Sequence, residues 1–227
     1  GQLIHGVLDG FLAESAVGPL PADARERLIT RGTEALSPYR SLPSVWTFWW
    51  PRFERIADWF LSVETLRRAS LKRTHTEITG SLTFDAPAGP FRLSARADRI
   101  DELVDGGLAV IDFKTGAPPS KREVMAGFAP QLPLEAVIVG AGGFADVPAG
   151  EVSELAFWRL SGGRDPGQVR DAADDPAAVA AEAYAGLKAL VARFDDPATV
   201  YEARPRPDRA HVYSDYEHLA RVREWSS

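Results

Sequence analysis

Asp98, Asp112 and Lys114 are the residues whose types and spacing could most directly do chemistry. Asp112 and Lys114 stand in the run Ile111-Asp112-Phe113-Lys114, and Asp105-Gly106-Gly107 lies between the two aspartates. That tripeptide is a turn signal between β-prone stretches, so the segment reads as a hairpin. A hairpin centred near Asp105 sets Asp98 roughly opposite Asp112. Alternation along the strand then puts Asp112 and Lys114 on one face and Phe113 on the other. Two carboxylates facing each other across a ladder destabilise it unless something neutralises them. A divalent cation would do so, because hard cations such as Mg²⁺ take one or two carboxylates together with phosphate oxygens. Two carboxylates, a lysine and a hard metal suit phosphodiester hydrolysis. The metal polarises the phosphoryl oxygen and supplies hydroxide, while the lysine steadies the nucleophile or offsets developing charge.

An acid two residues before a lysine is common at solvated strand ends. Here Leu108-Ala109-Val110-Ile111 precedes it, which places Asp112 at the end of a core strand. Two further residues stand near this chemistry in sequence order. His5 lies at the margin of an apolar helical stripe made by positions 3, 4, 7, 8, 11 and 12, where a half-buried seam histidine is the plain reading. Gln131 and Glu135 share one face of a later helix.

His5, Asp98, Asp112, Lys114 and Gln131, in the wording G-x-x-x-H, R-A-D-R-I-D, I-D-F-K-T-G and Q-L-P-L-E, resemble the RecB-like branch of the PD-(D/E)xK nucleases. The wording is similar to the C-terminal nuclease domain of the AddB family, and the likeness runs from residue 1 to the closing D-Y-E-H-L-A-R-V-R-E-W. The resemblance implies a Mg²⁺ site, with Mn²⁺ able to substitute, held by His5, Asp98, Asp112 and the Phe113 backbone carbonyl. It also implies that Lys114 activates water and that Gln131 positions the water or the phosphate. Glu135 departs from the family pattern, which has an aromatic there. The implied partners are DNA, an AddA-type helicase–nuclease subunit and the rest of a longer chain, since the sequence opens directly on the motif glycine. The implied setting is the bacterial cytoplasm, in double-strand-break repair. ATP would belong to the motor, since no G-x-x-x-x-G-K-[ST] loop occurs.

Composition narrows the remaining classes. A chain of 227 residues with 45% hydrophobic content and six tryptophans can bury a substantial core. No run approaches the ~20 apolar residues of a membrane span, and no signal peptide is visible. With no cysteine there is neither a disulfide nor the iron–sulfur cluster found in some related nucleases. The net charge of −6 is unusual for a DNA binder, whose affinity comes from cations on phosphates. Local basic clusters occur at Arg67, Arg68, Lys72 and Arg73, at Lys121 and Arg122, and at Arg204, Arg206 and Arg209; each also reads as a solvated face.

The elements expected to position the site form one nuclease domain over 1–227. A helical section (1–70) precedes a sheet core (71–160), and C-terminal helices follow (177–227). The expected fold is α/β, a restriction-endonuclease-like mixed central sheet flanked by helices. Helices are expected near 2–16, 21–36, 47–70, 130–140, 177–194 and 213–224, with strands near 73–85, 90–101, 107–114 and 152–160. An extended piece is expected near 200–206, and Ser120-x-x-Glu123 is a capping box for a short helix. Ser161 to Pro176 reads as a flexible loop. Glu77 reads either as one more acid near the site or as the exposed face of an edge strand. Trp46, Trp49 and Trp50 read as core or as a base-stacking surface. Two rival functions stand beside the nuclease: a nuclease-derived, non-catalytic DNA-binding or assembly module, and a metal hydrolase acting on another substrate.

Overall fold

The structure, a computed structural model, describes residues 1–39 and 41–201. The extended piece near 200–206 lies almost wholly outside these residues. The helix expected at 213–224 and the cluster Arg204, Arg206 and Arg209 lie outside them entirely.

Helices α1 (Gln2–Glu14), α2 (Ala24–Leu36) and α3 (Trp50–Arg67) form the N-terminal section. A 3₁₀ turn over Ser37–Tyr39 and a π turn over Val45–Trp49 link α2 to α3. Strands β1 (Leu71–Ala86), β2 (Gly89–Leu103) and β3 (Leu108–Lys114) follow, then helices α4 (Lys121–Met125) and α5 (Gln131–Gly140). Strands β4 (Val152–Leu160) and β5 (Gly167–Asp171) and helix α6 (Pro176–Phe194) complete the described chain. The strands lie in sequence order across one mixed sheet. β3 and β4 run parallel and the other neighbours antiparallel. Parallel neighbours need a crossover, and α4 and α5 provide it.

β3 explains why the sheet needs cover on both sides. It is central, and Leu108 through Phe113 are all buried. Leu108 and Val110 face a core closed by Leu132 and Val139 of α5 and Val179 of α6. Ile111 and Phe113 face a second core closed by Leu8 and Leu12 of α1, Leu28 of α2, and Ile56 and Phe60 of α3. The mixed sheet with helices on both faces is the architecture expected from the sequence. The β2–β3 turn closes as expected, with Gly106 at φ 91°, a left-handed conformation that glycine adopts without steric cost.

One expectation fails. Ser161–Pro176 is not all loop, because β5 pairs antiparallel with β4 from Ala156↔Asp171 to Leu160↔Gly167. Its sequence, Gly-Gln-Val-Arg-Asp, is almost wholly exposed and carries no apolar alternation, so periodicity gives no sign of it. Main-chain pairing holds it at the edge. Gly167 is required there, because a Cβ would sit 2.1 Å from the Trp59 ring.

A buried ionic network pins α3 to the sheet. Glu64 accepts bonds from Arg99 (2.6 Å and 3.2 Å) and Arg68 (2.7 Å), while Asp101 accepts from Arg99 (2.8 Å) and Arg67 (2.5 Å). Arg99 is fully buried and lies over the Trp158 ring. Arg67 and Arg68 are therefore spent inside the protein and do not form a basic face for DNA. Glu64→Ala would strand Arg99 without half of its partners. The expected cost is ~3–5 kcal/mol in denaturant unfolding.

Candidate functional site

β3 delivers Asp112 and Lys114 at its C-terminal end, on the side that α5 covers. The β2–β3 ladder runs from Glu102↔Leu108 to Arg99↔Ile111, so the next step outward brings Asp98 opposite Asp112. There the backbone ladder stops. The Phe113 N–H donates to Asp98 Oδ2 at 2.8 Å, so a side-chain carboxylate takes the place of a main-chain acceptor. The same oxygen lies 3.4 Å from Nδ1 of His5 on α1. The His5 ring meets the Phe113 ring edge-on at 6.0 Å, which fixes its height above the strand. The bond to Asp98 raises the His5 pKa, with burial opposing and Asp112 and Glu77 adding to the rise.

Asp112 is held by different groups. Gln131, the first residue of α5, donates from Nε2 to Oδ1 at 2.7 Å, and Lys114 Nζ donates to the same oxygen at 2.9 Å. Lys114 also lies 2.7 Å from Oδ2, but as an ion contact without hydrogen-bond alignment, so that buried oxygen has no aligned donor. Gln131 Oε1 in turn accepts from Lys114 at 3.3 Å. Burial raises the Asp112 pKa, Lys114 opposes the rise, and Asp98 reinforces it. The crossover explains why Gln131 arrives here: the chain leaves β3 at Lys114 and re-enters through α5 directly over the strand end.

Glu77 proves to be more than an edge-strand acid. β1 pairs with β2 at Thr76↔Arg99 and Ile78↔Ala97, so the residue between them falls opposite Asp98. Its φ of 49° is left-handed, a conformation that costs a residue other than glycine ~1 kcal/mol or more. Ligand atoms of His5, Glu77 and Asp98 all lie within 4.8 Å of one another. Glu77 is balanced from outside by Arg96, Nε to Oε2 at 2.6 Å. Burial raises the Glu77 pKa, Arg96 opposes it, and Asp98 and Asp9 add to the rise. Register alone could have shown this residue once Asp98 was placed, but the left-handed kink has no signature in the sequence.

The second feature whose role the sequence left open is Glu135. It is 2% exposed, Gln131 donates to its Oε1 at 3.2 Å, and its Oε2 is buried without a partner. Burial pushes its pKa up to about 8; Gln131 opposes that rise, while Asp112 and Asp98 add to it. Where the family pattern has an aromatic, the helix presents a carboxyl group whose proton burial holds well above the usual carboxylate range.

A hard divalent cation fits this donor set. Oxygen atoms dominate it, one imidazole joins them, and the buried Asp112 Oδ2 has an ion contact to Lys114 but no aligned hydrogen-bond donor. Of the residues singled out in the sequence, His5 and Asp98 meet at one point. Asp112, Lys114 and Gln131 form a linked group beside it. Phe113 turns its side chain to the core and its N–H to Asp98.

The comparisons give the family. The family model of the PD-(D/E)XK nuclease superfamily matches residues 1–211, and the chain belongs to that superfamily. It is 25% identical over 146 residues to an uncharacterized protein of Rickettsia bellii and 27% identical over 149 residues to one of Rickettsia typhi, each match covering 63% of this chain. The chain spans 17% of the length of these relatives. Among solved structures, SSO0001 is 16% identical with a TM-score of 0.33, over 88% of this chain and 98% of that one. No helix among the described residues is long and apolar enough to cross a membrane.

Proposed function

We propose that this chain is a metal-dependent DNA nuclease that hydrolyses phosphodiester bonds of single strands. The observation that carries this reading is the convergence at the end of β3 of His5, Asp98 and Glu77 beside the linked group Asp112–Lys114–Gln131. His5, Asp98, Asp112 and the Phe113 carbonyl would hold Mg²⁺ or Mn²⁺, with Glu77 as an added carboxylate. When bound, the cation would supply charge neutralisation and polarisation at the phosphoryl oxygen.

The chain's own groups do the rest. Lys114, already within bonding distance of Asp112 and Gln131, orients the attacking water and offsets negative charge on the phosphate. The Gln131 amide fixes Lys114 through Oε1 and Asp112 through Nε2, so both groups keep one geometry. His5 leans on Asp98 and would hold the cation together with it.

The similarity to the AddB family supports a finer reading: an exonuclease of double-strand-break repair, cutting strands unwound by an AddA-type partner. The net charge of −6 fits a domain that receives its strand from such a motor instead of capturing duplex unaided.

The test is a substrate panel of labelled single-stranded DNA, duplex DNA and single-stranded RNA, each with Mg²⁺ and with EDTA. Shortening of the DNA strands in Mg²⁺ alone is the expected result. Binding without cleavage under every condition would favour the non-catalytic module.

A further inference from the structure

The tryptophans before α3 do not behave as one cluster. Trp50 packs on buried Phe53 at 5.6 Å, and Trp46 tilts onto Trp50 at 5.4 Å, so these two extend the core. Phe48 and Trp49 point away from it, 68% and 57% exposed, and Tyr39 is 47% exposed. Trp49 and Tyr39 line an open groove of about 400 Å³ with Ile4, Arg52, Thr115 and Ser161.

We infer that this groove seats the bases of a single DNA strand, with Trp49 as the stacking platform, and leads that strand to the end of β3. The inference rests on the nuclease reading above and names how its substrate is held. Three observations carry it. The groove lies beside the end of β3, because Thr115, the residue after Lys114, is one of its lining residues. The chemistry suits bases and phosphates together. The Arg52 guanidinium lies 5.8 Å from the Trp49 ring centroid and has no carboxylate partner among the described residues, leaving it available to a phosphate. Single-strand binders combine aromatic faces with such cations. Finally, Val45–Trp49 is a π turn, an irregularity that recurs at functional sites, and it ends on the exposed Trp49. Arg67 and Arg68 are committed to the buried network, so phosphate contacts must come from elsewhere, and Arg52 is placed to make one.

The test is fluorescence anisotropy of a labelled oligothymidylate with Ca²⁺ in place of Mg²⁺, comparing wild type, Trp49→Ala, Trp49→Phe and Leu66→Ala. Leu66 is 78% exposed at the far end of α3 and serves as the apolar surface control. Trp49→Ala should weaken binding about 5- to 100-fold, Trp49→Phe should recover most of it, and Leu66→Ala should match wild type. A strand carrying 5-iododeoxyuridine should photo-crosslink to Tyr39 or Trp49. Unchanged affinity in Trp49→Ala, cross-links elsewhere, or no affinity of the wild type for single strands would overturn the inference. Unchanged affinity with no cross-link is also what a groove filled by another part of a longer chain would give. Hydrolysis of bis(p-nitrophenyl) phosphate by the wild type in Mg²⁺ keeps the two readings apart, since that diester needs no groove. If it is hydrolysed while Trp49→Ala binds DNA normally, only the groove falls; if neither this diester nor any DNA strand is hydrolysed, the nuclease reading fails on its own.

Discussion

Asp112→Ala should abolish DNA cleavage and weaken metal binding, yet leave the metal-free protein at least as heat-stable as wild type. The two halves share one cause. Asp112 is 2% exposed, and burial beside Asp98 raises its pKa, so the ionised form needed for catalysis is one the fold accommodates at a cost. Removing it ends that cost. Its neighbours have other outlets: Lys114 is part-exposed and can turn to water, and Gln131 keeps its bond to Glu135. In the working enzyme the same carboxylate is expected to hold the cation, and its loss should lower the rate by at least about 100-fold. Calorimetric titration with Mn²⁺ and a melting curve in EDTA check both halves. A protein that loses activity only because it unfolds would contradict this account of the residue.

Glu135 carries the second large effect, on stability against pH. Its carboxyl is raised from 4.5 to about 8 by burial. A raised folded pKa contributes stability that is fully present below the unfolded value and is lost as pH rises through the folded one. Wild type should therefore lose stability between about pH 4.5 and 8, by on the order of 5 kcal/mol if this group acted alone. Glu135→Gln removes the titration while keeping an acceptor for Gln131. The variant should unfold with a clearly shallower dependence over that window, Asp112, Glu77 and His5 still contributing, and be the more stable protein at pH 8–9. Urea unfolding at several pH values measures it; parallel pH curves for the two proteins would contradict the assignment.

Much of the site could be read from residue order because it is built locally. Asp98, the Asp105-Gly106-Gly107 turn and Asp112 are one hairpin, so alternation and turn chemistry suffice to bring the aspartates together. Gln131 came into view through the family wording Q-L-P-L-E, and the crossover from β3 through α5 is the physical reason it arrives over the strand end. The Ser120–Glu123 capping box formed for the same local reason, both reciprocal bonds being present. What stayed hidden depends on distant contacts. Glu77 enters the site through register with β2 and a left-handed kink, and neither is written in its neighbours. Glu135 shares its helix face with Gln131, but its burial shows only once α5 is packed against the sheet. β5 has no apolar pattern and exists because β4 offers an open edge. The basic pair Arg67 and Arg68 looked solvent-facing because their partners, Glu64 aside, lie far along the chain at Asp101 and Glu154.

The most direct test of the central claim is cleavage of end-labelled single-stranded DNA by wild type and Lys114→Ala, each in Mn²⁺, Mg²⁺ and EDTA. Lys114 is part-exposed and packs little, so its loss should spare the fold while removing the group that orients water. The account predicts metal-dependent shortening of the strand by wild type and none by the variant, with unchanged melting. Equal cleavage by the two proteins would show that the end of β3 is not where the chemistry happens.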